Sequence, residues 1–241
     1  MGMRVEVGEA WHRVKYSVPR LKIERIIFIC SMIKPMSIKH RNDSKKLIYS
    51  IGIDEVGRGP IAGPVAVGAF VFLTKEARKL FRGVKESKQL SEQKREWWFA
   101  RIESAQKSSD IDFCVSFQSE KIIDTKGLSY AIKTALLKSL GTIVIENKLE
   151  PTQVQVLLDG GLKAPANYSN QKTIIKGDEK EMVIALASIC AKVLRDRRMN
   201  LLGKKYPKYG FERHKGYGTR GHYRAINKYG ILQTHRRSFI R

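Results

Sequence analysis

The chain is poor in cysteine, in long apolar runs and in acid. Three cysteines, Cys30, Cys114 and Cys190, stand far apart among 241 residues and form no CxxC pair. A sparse, odd set speaks against a disulfide framework and a structural zinc site, and it fits a reducing, cytoplasmic setting. Cys114 and Cys190 lie in apolar runs, as small core residues do. The apolar stretch from Ile26 to Ile33 is interrupted by Cys30 and Ser31. It is too short to cross a bilayer, and no small-residue cleavage site follows it. No membrane association is expected. Acid is the scarcest charge: 23 Asp and Glu face 46 Lys and Arg, for a net charge of +23. That excess suits a polyanionic partner, of which nucleic acid is the usual one.

What is present is a patterned chain long enough for one sizeable domain. Residues 1–47 read as a poorly structured extension, ending in the polar stretch "HRNDSKKL". Strands are expected at 49–54, 65–73, 111–117 and 154–159, where β-branched and apolar residues cluster. A helix should follow Ser91, placed as an N-cap. A second should begin just after Gly127 and run to 146. A long third should cover 178–206, with Met182, Ile184, Ala185, Ile189 and Val193 on its inner face. This mixed order implies an α/β layer fold, a central sheet flanked by helices. The catalytic part is expected at 48–205, with a basic helical region, 206–241, packed on the same domain.

Four acids stand out. Asp54 and Glu55 end the first strand, Asp159 ends a later one, and Asp178 opens the long helix. If the strands are neighbours, the four carboxylates converge at one sheet edge. Like charges at close quarters repel, and hard oxygen ligands of this kind suit Mg²⁺ or Mn²⁺. Two such ions would clamp the attacking water and the leaving oxygen of a phosphodiester. The bland alternative makes Asp159 part of an Asp-Gly-Gly turn and Asp178 an N-cap. Asp54-Glu55 resists it, since no turn calls for two acids in succession. Adjacent strand residues point to opposite faces, so a shared metal site requires the strand to bend between them.

"GIDEVGRGPIAGP" (52–64) continues from those acids into a loop with few side chains. Glycine allows the backbone to approach a ligand and present its N–H groups, and Arg58 adds a charged donor. The competing reading is a tight turn between strands. The chain from 192 onward holds 15 Lys and Arg against two acids, Asp196 and Glu212. Aromatic residues are interleaved, as in surfaces that grip phosphates and stack on sugars or bases. Most of these tyrosines read as core. Tyr217, in "HKGYGT", is the exception, because the flanking glycines leave its ring accessible. His214, His222 and His235 lack metal-ligand spacing and read as structural.

"GIDEVGRGPIAGPV", "GDEKEMVIALASICAKVLRDR", "YPKYGFERHKGYGT" and the ending "HRRSF" together resemble ribonuclease HII, the type 2 ribonuclease H family. The resemblance runs from about residue 48 to the C-terminus. It implies an RNase H-like fold and a monomeric endonuclease that cuts RNA joined to DNA. Its substrates would include single ribonucleotides in duplex DNA, cut on their 5′ side to leave 3′-hydroxyl and 5′-phosphate ends. It also implies that Asp54, Glu55, Asp159 and Asp178 are the metal-binding catalytic acids. Gly57, Arg58 and Gly59 would read the 2′-hydroxyl, and Tyr217 would stack on the neighbouring deoxyribose. Lys88, Ser188 and Lys192 would contact phosphate. Glu86 stands where the family commonly has aspartate, and Leu186 where it has alanine; the second is expected to affect how the long helix packs. Ribonuclease HIII carries a separate N-terminal binding domain, for which residues 1–47 are too short and irregular. A silent basic binding protein would not need all four acids. A transposase-type nuclease of similar fold is disfavoured by motif order.

Overall fold

The computed structural model describes residues 49–240, so the expectation for residues 1–47 lies outside the described residues. Five strands form one sheet in the order β3-β2-β1-β4-β5. They are β1 (Tyr49–Val56), β2 (Val65–Phe72), β3 (Ile111–Gln118), β4 (Val154–Asp159) and β5 (Gln171–Ile174). β1 pairs antiparallel with β2 and parallel with β4, so the sheet is mixed. The five principal helices are α1 (Glu92–Lys107), α2 (Glu120–Lys126), α3 (Leu128–Glu146), α4 (Met182–Lys205) and α5 (Arg220–Tyr229). Ser91 caps α1 through its hydroxyl, which accepts from the Lys94 N–H at 3.2 Å. Gly127 stands at the N-cap of α3 with φ +86°, a conformation that favours glycine.

Alternation along the strands sorts side chains onto two faces. Ile51, Ile53, Val65, Val67, Ala69 and Val71 meet Ala131, Ala135, Leu136 and Leu140 of α3 in one core. Phe70 and Leu157 face the other way, into a core shared with Trp98, Phe99 and Ile102 of α1 and Val183, Ile184 and Ile189 of α4. α3 is the one described helix long and apolar enough to suit a bilayer, and here it lies against the sheet. Leu186 is fully buried in the α4 core. Cys190 is buried as well, whereas Cys114 is half-buried against the α3 core.

Two glycines let α4 lie backbone to backbone on the sheet. A Cβ on Gly52 would come within 2.2 Å of the Val183 carbonyl carbon, and one on Gly68 within 2.4 Å of the Ala187 oxygen. No real Cβ tolerates such distances, so the close approach itself requires glycine.

The long helix departs from the expected 178–206. A single turn, Gly177–Lys180, comes first; Glu181 is then extended (φ −123°, ψ 116°), and α4 starts at Met182. The break is bridged: the Glu181 N–H reaches the Gly177 carbonyl at 2.8 Å, while the Glu181 carbonyl accepts from Ile184 and Ala185. Asp178 is therefore not an N-cap. Lys176, left-handed at φ 55°, holds that place, and Asp178 sits inside the turn. β5 and α2 carried no expectation and are additions.

The C-terminal region closes a third core, in which Tyr209, Phe211, Ala225 and Ile226 pack with Ile61, Ala62 and Met199. The chain from Thr234 to Arg236 lies along the loop after β1. An isolated bridge joins Ala62 to His235, the Gly63 N–H reaches the Thr234 carbonyl at 2.8 Å, and the Arg236 N–H reaches the Ile61 carbonyl at 2.8 Å.

Candidate active site

The parallel register of β1 and β4 pairs Ile53 with Leu158, so the next residues, Asp54 and Asp159, lie side by side where the strands end. By alternation both fall on the α4 face, the face on which Gly52 meets Val183. Asp178 arrives from the turn before α4, whose Gly177 N–H donates to Asp159 Oδ1 at 2.7 Å. β1 does not break between its two acids: it stays paired with β2 as far as Val56 opposite Ala66. Pairing with β4 stops at Ile53, and Glu55 stands beyond it, near enough for the Asp159 charge to raise its pKa.

Each carboxylate is tethered by a protein donor. Asp54 Oδ1 accepts from the Glu55 N–H at 2.7 Å, and Glu55 Oε1 accepts from Arg58 Nη1 at 2.9 Å. Lys88 Nζ reaches Asp178 Oδ2 at 3.4 Å. Ser188, on α4 just past the Gly68 contact, hydrogen-bonds to Asp54. Its hydroxyl also lies 2.8 Å from that of Ser87. Either hydroxyl can donate in that pair. Burial pushes the Asp54 carboxyl up to about 8, and the charges of Glu55, Asp159 and Asp178 add to that against the Ser188 bond. Burial also raises Glu55, opposed by Arg58. Burial pulls Lys88 down, but the charge and hydrogen bond of Asp178, with the charges of Asp54 and Glu86, together outweigh it and the net shift is upward.

Among the described residues, no three carboxylate, histidine or cysteine side chains enclose a point where an ion would sit as they now lie. The donor set nevertheless suits a hard divalent cation. All four side chains offer oxygen, only two of them face a cation, Arg58 and Lys88, and Glu55 Oε2 is buried without a partner. Asp54, Glu55, Asp159 and Asp178 are the residues that would hold it, after side-chain rotation away from their present tethers. Asp54 and Asp178 are buried. A groove of about 520 Å³ lined by Glu92, Asn200, Lys204 and Lys215 contains none of the four acids.

Beside the acids, Gly57 is left-handed at φ +94°, while Arg58 and Gly59 are exposed. The Tyr217 ring, 49% exposed, comes next to Gly59, where a Cβ would lie 3.6 Å from Tyr217 Cε1. The loop and Tyr217 are also joined through the backbone: the Ile61 and Ala62 N–H groups both donate to the Gly216 carbonyl, at 2.9 and 3.2 Å. Lys88 and Ser188 thus join the acids, and the Gly57–Gly59 loop joins Tyr217. Lys192 sits one turn beyond Ser188 on α4, with its ammonium held by both oxygens of Asp196 at 2.7 and 2.6 Å. Burial lowers its pKa against that pairing.

Several structural partners were not anticipated. Ser87 was one. Asp196 had a sequence signal, since it stands four residues after Lys192 on a helix. Arg195 continues the inner face of α4 at the seventh residue after Ser188, where a charge implies a buried partner; it is fully buried and donates to the carbonyls of Pro64 at 3.0 Å and Lys215 at 3.2 Å. Arg236 is equally buried. The three histidines form one network. The Leu232 N–H donates to His235 Nδ1 at 2.9 Å, which leaves the proton of His235 on Nε2, facing His222 Nε2 at 3.1 Å. His222 in turn donates from Nδ1 to the Tyr217 carbonyl at 2.9 Å, and its ring stacks on His214 at 4.2 Å.

The family model of ribonuclease HII matches residues 51–241. Ribonuclease HII of Bacillus anthracis is 45% identical over 195 residues, covering 81% of this chain and 70% of that protein. Among solved structures, the PCNA:RNase HII complex from Archaeoglobus fulgidus aligns with TM-score 0.61 and 26% identity, over 80% of this chain and 96% of that one. The ribonuclease H2 from Pyrococcus horikoshii OT3 aligns with TM-score 0.58 and 25% identity, over 79% and 93%.

Proposed function

This chain belongs to the ribonuclease HII family, and from that premise we propose that it is an endonuclease that hydrolyses RNA joined to DNA and cuts on the 5′ side of single ribonucleotides in duplex DNA. The observation that carries the reading is the meeting of two features at the end of β1. Four carboxylates, one with a buried unpartnered oxygen, stand next to a loop whose exposed backbone adjoins an exposed tyrosine ring.

Asp54, Glu55, Asp159 and Asp178 would hold Mg²⁺ or Mn²⁺. Bound there, divalent cations supply charge neutralisation at a phosphodiester and a nucleophilic water. The chain's own residues do the rest. Ser188, itself hydrogen-bonded to Ser87, helps to hold Asp54. Lys88, exposed and next to Asp178, is placed to meet a phosphate oxygen. The loop at Gly57, Arg58 and Gly59 meets the 2′-hydroxyl, the group that separates RNA from DNA. Donors arranged for that hydroxyl are left unpaired by deoxyribose, which can discriminate by orders of magnitude. Tyr217 stacks on the adjoining deoxyribose. The excess of basic residues draws a duplex in.

The test is product mapping on a duplex with one embedded ribonucleotide, alongside an all-DNA duplex of the same sequence. The expected result is one cut, 5′ of the ribonucleotide, leaving 3′-hydroxyl and 5′-phosphate ends, with the all-DNA duplex intact. Tyr217→Ala should lower cleavage at that junction about tenfold or more, in line with the worth of one stacked ring, while nonspecific duplex binding changes little. Cleavage at many positions, or equal loss of cutting and binding in the variant, would contradict the reading.

A further inference from the structure

Arg236 is buried within the fold, yet its partners are backbone carbonyls rather than carboxylates. Its Nη2 donates to the Gly57 carbonyl at 2.7 Å, its Nη1 to the Arg58 carbonyl at 3.0 Å and its Nε to the Gly63 carbonyl at 2.9 Å. A buried guanidinium is costly, and an apolar side chain of equal volume is often no worse for folding. What the charge supplies here is direction. In a trans peptide the C=O and N–H point to opposite sides, and no described peptide is cis. The peptide whose carbonyl is Gly57's carries the Arg58 N–H, and the next one carries the Gly59 N–H. With both carbonyls drawn inward to Arg236, both N–H groups are turned outward, where Arg58 and Gly59 are exposed and the Tyr217 ring stands. Arg195 pins the loop from a second side: a Cβ on Gly57 would lie 2.3 Å from its Nε.

We propose that Arg236 is a positioning residue for sugar discrimination, holding the Arg58 and Gly59 N–H groups toward the substrate without touching it. The proposal rests on the reading of this loop as the sensor of the 2′-hydroxyl. Arg236→Lys keeps a buried cation but cannot fork to three carbonyls. Its preference for a duplex with one ribonucleotide over the all-DNA duplex, measured by competition binding, should fall about tenfold, while affinity for the all-DNA duplex and the melting temperature stay close to wild type. In the same variant the ¹H–¹⁵N resonances of Arg58 and Gly59 should shift in the free protein. Arg236→Met provides a second variant in which the cation is lost outright, and it should lose at least as much preference. A folded Arg236→Lys that keeps the full preference and unmoved loop resonances would overturn the proposal. A wild-type protein with no preference for the ribonucleotide would overturn the hydroxyl reading instead, so the two failures are distinct.

Discussion

Asp54 and Glu55 are neighbours in sequence but answer to different surroundings. Asp54 lies on the α4 face, buried and hydrogen-bonded to Ser188; Glu55 lies beyond the β4 pairing, held by Arg58 and with one oxygen unpartnered. Crowding of like charge has a stability consequence. Without metal, Asp54 must either take up a proton or hold a charge beside three other acids, and both cost stability, so Asp54→Asn should raise the melting temperature of the metal-free protein at neutral pH. The rise should be about 2–4 °C or more, the shift for 1 kcal/mol in a domain of this size. Thermal unfolding in chelator checks it, and a lower melting temperature would show that the cluster is not strained by its charge. Asp54 and Glu55 stand out in the sequence because no turn calls for two acids in succession. Arg236 was not legible, because in a tail rich in arginine its burial depends on which loop it folds against.

At the scale of elements, the strands and long helices were readable from their apolar spacing. β5 was not, since Gln171–Ile174 is short and exposes its middle residues. The break at Glu181 is hidden in the sequence because "EKEM" is a run of good helix formers; the turn before it is tied to Asp159 through the Gly177 N–H. The histidine network makes the C-terminal region sensitive to acid. Burial, with the charges of His214 and His235, lowers the His222 pKa to about 4, and burial lowers that of His235. A depressed histidine pKa contributes stability that is present above the ordinary value near 6.5 and lost as pH falls towards the folded value. For His222 the window is therefore pH 6.5 to about 4, and the loss is up to about 3 kcal/mol. Protonated His222 would set two N–H donors, its own and that of His235, against each other. Melting temperature should fall across that window, with hydrogen exchange rising first around Tyr217. A His222→Gln variant should show a flatter profile. An unchanged slope would assign the acid response to other groups.

At the scale of the molecule, a net charge of +23 makes binding to duplexes electrostatic. Affinity for a nonspecific duplex should fall steeply with salt, by about 10³-fold between 50 and 200 mM if six phosphates are met. A shallow slope in a binding titration would mean that most of the basic residues face away from the duplex. The fold gathers its chemistry from distant parts of the chain: Asp54 and Glu55 from one strand, Asp159 from another, Asp178 from a helical turn. The central claim, that these four carboxylates hold the divalent cations that cut, is tested most directly by cleavage of a single-ribonucleotide duplex. Wild type would be compared in Mg²⁺ or Mn²⁺ and in chelator with Asp54→Asn and Asp178→Asn. Chelator should abolish cutting, and each variant should lose at least about 10²-fold, the rate worth of a few kcal/mol of metal-borne stabilisation. Cutting that persists in chelator, or that survives both substitutions, would contradict it.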